Sequence, residues 1–162
     1  MKGLIIEKGE KYYTHLKKYF SQLNDIQRNY NWLITAHECY PRDEKYAGIL
    51  SEKYLWMTGD ELTEMVSEDF QWIWGVFSAF SKDIAKEKVL QYELPKADGY
   101  EGFWRNPVSI QHPLAEMEIV AWDSSLTIFI SKDESIIDLL QENNVLAEDL
   151  EKYNEWWKLP VK

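Results

Sequence analysis

The sequence contains little that breaks or cross-links a chain: one cysteine, Cys39, with seven glycines and five prolines among 162 residues. A single cysteine cannot form a disulfide within the chain. The first residues lack the charged start, apolar run and cleavage site of a secretion signal. No apolar stretch approaches the roughly 20 residues that cross a bilayer. These absences predict a cytoplasmic protein without a membrane span.

Positive charge is also scarce, because 18 basic residues stand against 28 acidic ones and give a formal net charge of -10. Such a chain repels phosphate backbones unless its basic residues gather on one face. The basic groups, at Lys17 and Lys18 and across 82–88, are mixed with acids or apolar residues. Nucleic-acid binding is therefore not expected, whereas a basic protein partner is electrostatically favoured.

Motifs for cofactors and metals are missing as well. There is no Gly-x-Gly-x-x-Gly and no loop ending in Gly-Lys-Ser/Thr, so no nucleotide cofactor is expected. The nearest approach to a metal site is His37-Glu38-Cys39, whose first and third side chains would share one face of a strand. Structural zinc takes four ligands and the chain offers no second pair. A half-buried histidine beside an inert cysteine is the favoured interpretation.

Aromatic residues, by contrast, are plentiful, with eight tryptophans and 45% hydrophobic residues overall. A buried tryptophan removes on the order of 200 Å² from water, so a tryptophan-rich core strongly stabilises a small domain. The length of 162 residues is that of one ordinary domain. We therefore expect a single domain over residues 1–162.

Hydrophobic periodicity predicts an α+β fold. Strand patterns cover 3–7, 30–40, 70–80, 117–122 and 126–131, a brief strand fits 92–94, and 47–56 is ambiguous; helical patterns cover 10–23, 58–67, 84–90, 133–140 and 147–157. Because strands and helices do not alternate regularly, we expect a mixed or mainly antiparallel sheet of about five or six strands with helices packed on one side. The link Asp123-Ser124-Ser125 predicts a hairpin between the last two strands.

The segment 98–113 is the candidate site. It is irregular and rich in turn residues, yet it holds Tyr100, Phe103 and Trp104 beside Arg105, with His112 near its end. Loops carry many binding residues, and aromatic rings with arginine dominate binding hot spots. The alternative is a structural clamp, in which Phe103 and Trp104 fix the segment over the sheet. The binding interpretation takes all five residues, Tyr100, Phe103, Trp104, Arg105 and His112, as candidate binding residues.

Two further groups of residues could be catalytic, but each also has an ordinary structural explanation. A hydrolase could use a serine of Asp123-Ser124-Ser125 with His112 as base, but no nucleophile elbow is present and the residues suit a hairpin turn. Glu116 and Glu118 could form an acid and base pair, yet alternating acids on a strand usually mark its solvated side. No catalytic residue is therefore assigned.

The C-terminal helix pattern places Tyr153, Trp156 and Trp157 along one stripe. This stripe predicts docking of the helix onto the body of the domain. Incomplete docking would leave a patch for a partner.

Four segments together resemble a family of small proteins of unknown function from Gram-positive bacteria: Trp72-Ile73-Trp74-Gly75, Gly102-Phe103-Trp104, Ile110-Gln111-His112-Pro113-Leu114-Ala115-Glu116 and Trp122-Asp123-Ser124-Ser125. The resemblance covers essentially the whole chain and implies no established activity or catalytic residue. In composition alone, the chain is also similar to immunity proteins of bacterial toxin systems, which are small, acidic and aromatic-rich.

Three hypotheses for function follow. The first is a non-enzymatic, regulatory or immunity-like protein-binding module, whose acidic surface steers a basic partner to Trp104. The second is a small-molecule binding domain with a pocket at 98–113, where Arg105 would hold an anion. The third and weakest is a hydrolase-type enzyme that uses His112.

Overall fold

Seven strands form one open sheet in which every neighbouring pair is antiparallel. The computed structural model describes residues 1–158, with side chains up to Trp156. The strands are β1 (Lys2–Ile6), β2 (Tyr30–Cys39), β3 (Leu55–Thr58), β4 (Trp72–Ser81), β5 (Met117–Trp122), β6 (Leu126–Ser131) and β7 (Glu148–Asp149). Their order across the sheet is β3-β2-β4-β5-β6-β1-β7.

Six α-helices and two 3₁₀ helices accompany these strands within residues 1–158. The helices are α1 (Lys17–Gln22), α2 (Glu44–Ile49), α3 (Gly59–Val66), α4 (Lys86–Val89), α5 (Glu134–Asn143) and α6 (Leu150–Lys158), and the 3₁₀ helices are Ile26–Asn29 and Glu101–Trp104. The predicted α+β class is confirmed. No helix of this part of the chain has the length and apolar character that a bilayer crossing requires.

One face of the sheet packs against α1, α2, α3 and α5 and holds the larger core. Strand alternation directs Trp32, Phe77 and Phe129 into this layer, where all three are fully buried. The indole N–H of Trp32 donates to the carbonyl of Gln27 at 2.9 Å, so its polar atom is satisfied inside the core. The tryptophan-rich core predicted from composition is present only in part: Trp32 and Trp72 are buried on this face, whereas the other tryptophans with described side chains are partly buried or exposed elsewhere.

The opposite face is also covered, which corrects the prediction of helices on one side only. Val76, Val120 and Ile128 lie beneath residues of the segment 95–113 and beneath α6. At the β2 end of the same face, Leu33 and Phe80 pack against Val89 of α4. The sheet therefore has apolar residues buried on both faces, and the second layer consists mostly of irregular chain.

The strand count differs from the predicted five or six for a local reason. β3 has four residues and β7 has two, and strands this short carry little periodicity. The ambiguous and loop-like residues 42–56 form α2 and β3, whereas the brief strand predicted at 92–94 is absent. The hairpin prediction is confirmed: β5 pairs with β6 from Met117↔Ser131 to Trp122↔Leu126. Three residues, Asp123, Ser124 and Ser125, link the paired ends; Asp123 and Ser124 adopt positive φ, and the Ser125 N–H donates to the Trp122 carbonyl at 2.9 Å, which closes the tight turn.

Candidate functional site

The segment 95–113 lies across the second face of the sheet and is anchored by Phe103. The Phe103 ring is 1% exposed and contacts Trp122 edge-to-face, with ring centroids 5.7 Å apart. The Tyr100 ring also packs edge-to-face with the Phe103 ring, with centroids 4.7 Å apart. The short 3₁₀ helix Glu101–Trp104 directs Phe103 to the sheet and leaves Trp104 half-buried at the edge of the segment. Phe103 therefore acts as the clamp and Trp104 faces the site.

Hydrogen bonds from α6 hold this segment in place. The amide of Asn154 donates to the carbonyl of Phe103 and to Oδ1 of Asn106, both at 3.0 Å. The Asn106 amide donates to the carbonyl of Glu151 at 2.9 Å, and the Val108 N–H donates to Oε1 of Glu151 at 3.1 Å. Since α6 and the segment bind each other through these bonds, the space between them has fixed walls.

That space is an open groove of about 420 Å³, which we call the aromatic groove. It is lined by Trp104, Trp122, Leu126 and Tyr153. The Trp104 and Trp122 rings stand at 88° with centroids 5.2 Å apart, and Tyr153 is tilted by 44° from Trp104 at 6.2 Å. Three rings from three separate elements thus form walls at different angles around one apolar space.

Tyr153 connects the groove to a carboxylate. Its hydroxyl donates to Oε2 of Glu7 at 2.9 Å, and its residue is only 8% exposed. A hydrogen bond to an ionised acceptor is stronger than one between neutral groups, so it fixes the tyrosine ring well. The polar end of Tyr153 is therefore directed to Glu7, and Tyr153 is one of the residues that line the groove.

Arg105 does not line the aromatic groove. Its guanidinium donates to Glu101 at 2.5 Å, and the two side chains are 70% and 75% exposed. The pair is typical of surface ion pairs one helical turn apart, which contribute little to stability. The cation that the sequence offered for an anionic ligand is thus already paired with an acid.

His112 belongs to a different part of the structure. It is 1% exposed, packs against Phe80 and Tyr92, and lies near Val89. Its Nε2–H donates to the Val89 carbonyl at 3.0 Å, and its Nδ1 accepts from the N–H of Leu114 at 3.2 Å. Burial lowers the pKa of His112 from its ordinary value. Both ring nitrogens are engaged in the neutral form, so the ring fixes the end of the segment to α4.

The other chemical candidates also have structural partners. The Ser124 N–H donates to the Ile73 carbonyl at 2.9 Å within the hairpin turn, and His37 Nε2 donates to the Leu50 carbonyl at 2.9 Å. Burial raises the pKa of Cys39 to about 12, which keeps the thiol protonated. Residues 1–158 contain no group of three acidic, histidine or cysteine side chains placed to hold a metal ion.

Glu118 was predicted on the solvated side of its strand, and this prediction is wrong. The residue is fully buried beneath the segment 95–113. Gln111 donates to it twice, from its backbone N–H at 3.2 Å and from its side-chain amide at 3.4 Å. Burial raises the pKa of Glu118 to about 7. Alternation does place Glu118 on the face opposite α1, α2, α3 and α5, but this face is covered by the irregular segment and is not exposed to water.

Sequence reasoning found one wall of the aromatic groove and missed three. Trp104 was singled out, whereas Trp122, Leu126 and Tyr153 were assigned to a hairpin and a docking helix. A signal for Trp122 exists in the strand alternation, because it shares a sheet face with Val120 and stands across from Trp74 at 4.9 Å. The side chain of Trp157, named in the C-terminal stripe, lies outside the described residues.

Replacing Asn154 with alanine should lower the free energy of unfolding by about 2 kcal/mol, because it leaves buried acceptors at Phe103 and Asn106 without their donor. Chemical denaturation measures this change. Asn143→Ala is the matched control: its side chain is exposed on α5, and the loss there should stay within about 0.5 kcal/mol. Equal losses in the two variants would show that α6 does not hold the segment.

Comparisons with known proteins give no relative: no family model, no curated protein and no solved structure matches the chain. The geometry of the aromatic groove is therefore the main evidence for function. The resemblance to a Gram-positive family stays a prediction.

Proposed function

We propose that this protein is a non-catalytic binding domain that holds a small ligand in the aromatic groove. The observation that carries this proposal is the meeting of Trp104, Trp122 and Tyr153 around an open apolar space of about 420 Å³. Small-molecule sites are typically clefts of roughly 300–1,000 Å³ with apolar and aromatic walls. The groove has this size and this lining.

The groove suits a small ligand better than a protein surface. A stable protein interface buries about 800 Å² on each partner, whereas only four side chains of the described residues line the groove, and two of them, Leu126 and Tyr153, are each 8% exposed. Its walls are also fixed before binding, through Asn154 and Glu151. Fixed walls reduce the entropy lost when a ligand binds.

A second candidate function is the binding of a basic protein partner. Trp156 follows Tyr153 by three residues on α6 and is 72% exposed. The net charge of -10 would steer a basic partner toward the surface. A salt-sensitive association that requires Trp156 and not Trp104 would support this candidate over the first.

An enzymatic role has less support. The base of the hydrolase hypothesis, His112, has both ring nitrogens engaged, and the serines belong to a hairpin turn. A general base needs a free nitrogen within hydrogen-bonding distance of its proton donor.

The test is a titration of the protein with a panel of fragment-sized neutral, cationic and anionic compounds, followed through the indole N–H signals in NMR spectra. We expect binders to shift the signals of Trp104 and Trp122. Trp104→Leu should weaken such binding about tenfold, since aromatic contacts dominate small sites of this type. Trp156→Leu is the matched control and should bind normally. Binders that leave both groove signals unchanged would contradict the proposal.

A further inference from the structure

We propose that the ligand of the aromatic groove is a small organic cation with an alkylated ammonium group, such as a trimethylammonium head. This inference rests on the proposed function, because it names the chemistry of the ligand at the same site. It follows from the rings, the charges around them and the hydrogen-bonding groups that the groove does and does not supply.

The arrangement of the rings favours a cationic ligand. Trp104 and Trp122 stand almost perpendicular, at 88°, and Tyr153 forms a third wall tilted by 44° from Trp104. The face of each ring carries partial negative charge, so a cation within about 6 Å of a ring centroid is attracted to it. Tryptophan gives the strongest attraction of the three aromatic types. A cation in the groove would meet more than one ring at once.

The negative charge of Glu7, which accepts a hydrogen bond from Tyr153, also favours a cationic ligand. Its hydroxyl donates to the carboxylate of Glu7 at 2.9 Å, and this donation shifts electron density toward the ring. Lys8 lies 4.0 Å from Glu7 but binds Glu148 more closely, at 2.6 Å. The carboxylate of Glu7 therefore lies behind the Tyr153 wall of the groove, where its negative charge favours a cationic ligand.

The described residues that line the groove, Trp104, Trp122, Leu126 and Tyr153, include no basic side chain that would repel a cation. Arg105, next to the lining Trp104 in sequence, is paired with Glu101 at the surface. The whole chain carries a formal net charge of -10, which raises the local concentration of cations and lowers that of anions.

The scarcity of hydrogen-bond acceptors among the described lining residues favours an alkylated ammonium over a primary one. A primary ammonium has three N–H donors, which need acceptors when they leave water. Among the described lining residues, tryptophan is a donor only and leucine is apolar, so the phenolic oxygen of Tyr153, whose proton is donated to Glu7, is the one side-chain acceptor for three N–H donors. A quaternary ammonium has no N–H to satisfy, and its methyl groups suit the apolar walls.

The experiment compares choline with 3,3-dimethyl-1-butanol, a neutral compound of nearly the same shape, by NMR titration of the indole N–H signals. We expect choline to bind about ten times more tightly, since the two differ only in the charge that the rings attract. Trp104→Leu should remove most of this preference, because leucine keeps the apolar volume without the aromatic face. Tyr153→Phe should reduce it severalfold, because the ring stays and the bond to Glu7 is lost.

The outcomes separate the inference from the proposed function. If the two compounds bind equally and both shift the indole N–H signals of Trp104 and Trp122, the proposed preference for a cation is wrong. The groove would then be a general apolar binding site. Absence of binding by both compounds, while other panel members shift these signals, would also overturn the proposed preference for a cation. If no compound of either experiment shifts the groove signals, both proposals fail. Trp156→Leu, and the thermal melting of each variant, show that any loss is not due to unfolding.

Discussion

Gly59→Ala is expected to lower the free energy of unfolding by about 3 kcal/mol, the upper part of the range for overpacked substitutions. Gly59 is the first residue of α3, and a Cβ at this position would lie 2.2 Å from the carbonyl oxygen of Gln27 and 2.5 Å from Cα of Arg28. Both atoms are backbone, so no side chain can rotate away. The 3₁₀ helix Ile26–Asn29 would have to move from α3, and Trp32, which donates to the Gln27 carbonyl, would move with it.

Thermal melting measures this effect, and for a domain of this size we expect the midpoint to fall by roughly 10 °C. Gly48→Ala is the matched control. Gly48 lies in α2 with no atom within 4 Å of the added Cβ, so alanine there should raise stability by about 0.5–1 kcal/mol through its helix propensity. A Gly59→Ala protein as stable as the wild type would show that α3 and the 3₁₀ helix do not pack this closely.

Stability should also fall by about 3 kcal/mol as the pH rises from below 4.5 to above 7, through Glu118 alone. Burial raises the pKa of this carboxyl from 4.5 to about 7 in the folded chain. Between these values the folded state holds a proton that the unfolded state has lost. The stabilisation is therefore complete below pH 4.5 and is lost as the pH passes through about 7.

Chemical denaturation of the wild type and of Glu118→Gln across this pH range tests the effect. Glutamine keeps the shape and cannot ionise, so the difference between the two proteins should change by about 3 kcal/mol with pH. The difference is needed because His112 acts in the opposite direction: its pKa is lowered by burial, so its contribution is present above its unfolded pKa and is lost on acidification. A difference that does not change with pH would mean that water reaches Glu118.

The sequence patterns succeeded where an element is long and has a regular period. β2, β4 and the β5–β6 hairpin follow from alternation and turn chemistry, and their bounds agree with the prediction to within two residues. Shorter elements such as β7 were missed, because two residues paired with β1 give no periodic signal. Such short strands form because of their pairing with neighbouring strands, which local sequence patterns do not show.

The sequence pattern identified one residue of the candidate site, Trp104, but it did not show which distant residues lie beside it in the fold. The pattern at 98–113 identified Trp104 and Phe103 as either a site or a clamp, and the structure gives Phe103 the clamping position and Trp104 a wall of the groove. His112 was placed with them by proximity in sequence, but the chain turns between them. The contact of Trp104 with Tyr153 joins positions that local patterns cannot relate, so no window of the sequence contains it.

The clamp between α6 and the segment 95–113 also gives an order to events during synthesis. A ribosome releases the chain from its N-terminus, so β1 to β6 leave it before α6 does and can pair first. Tyr153, Asn154 and Glu151 arrive afterwards and complete the walls. A nascent chain would thus have most of its sheet before the aromatic groove has all of its walls, and the groove would be complete only after α6 has docked.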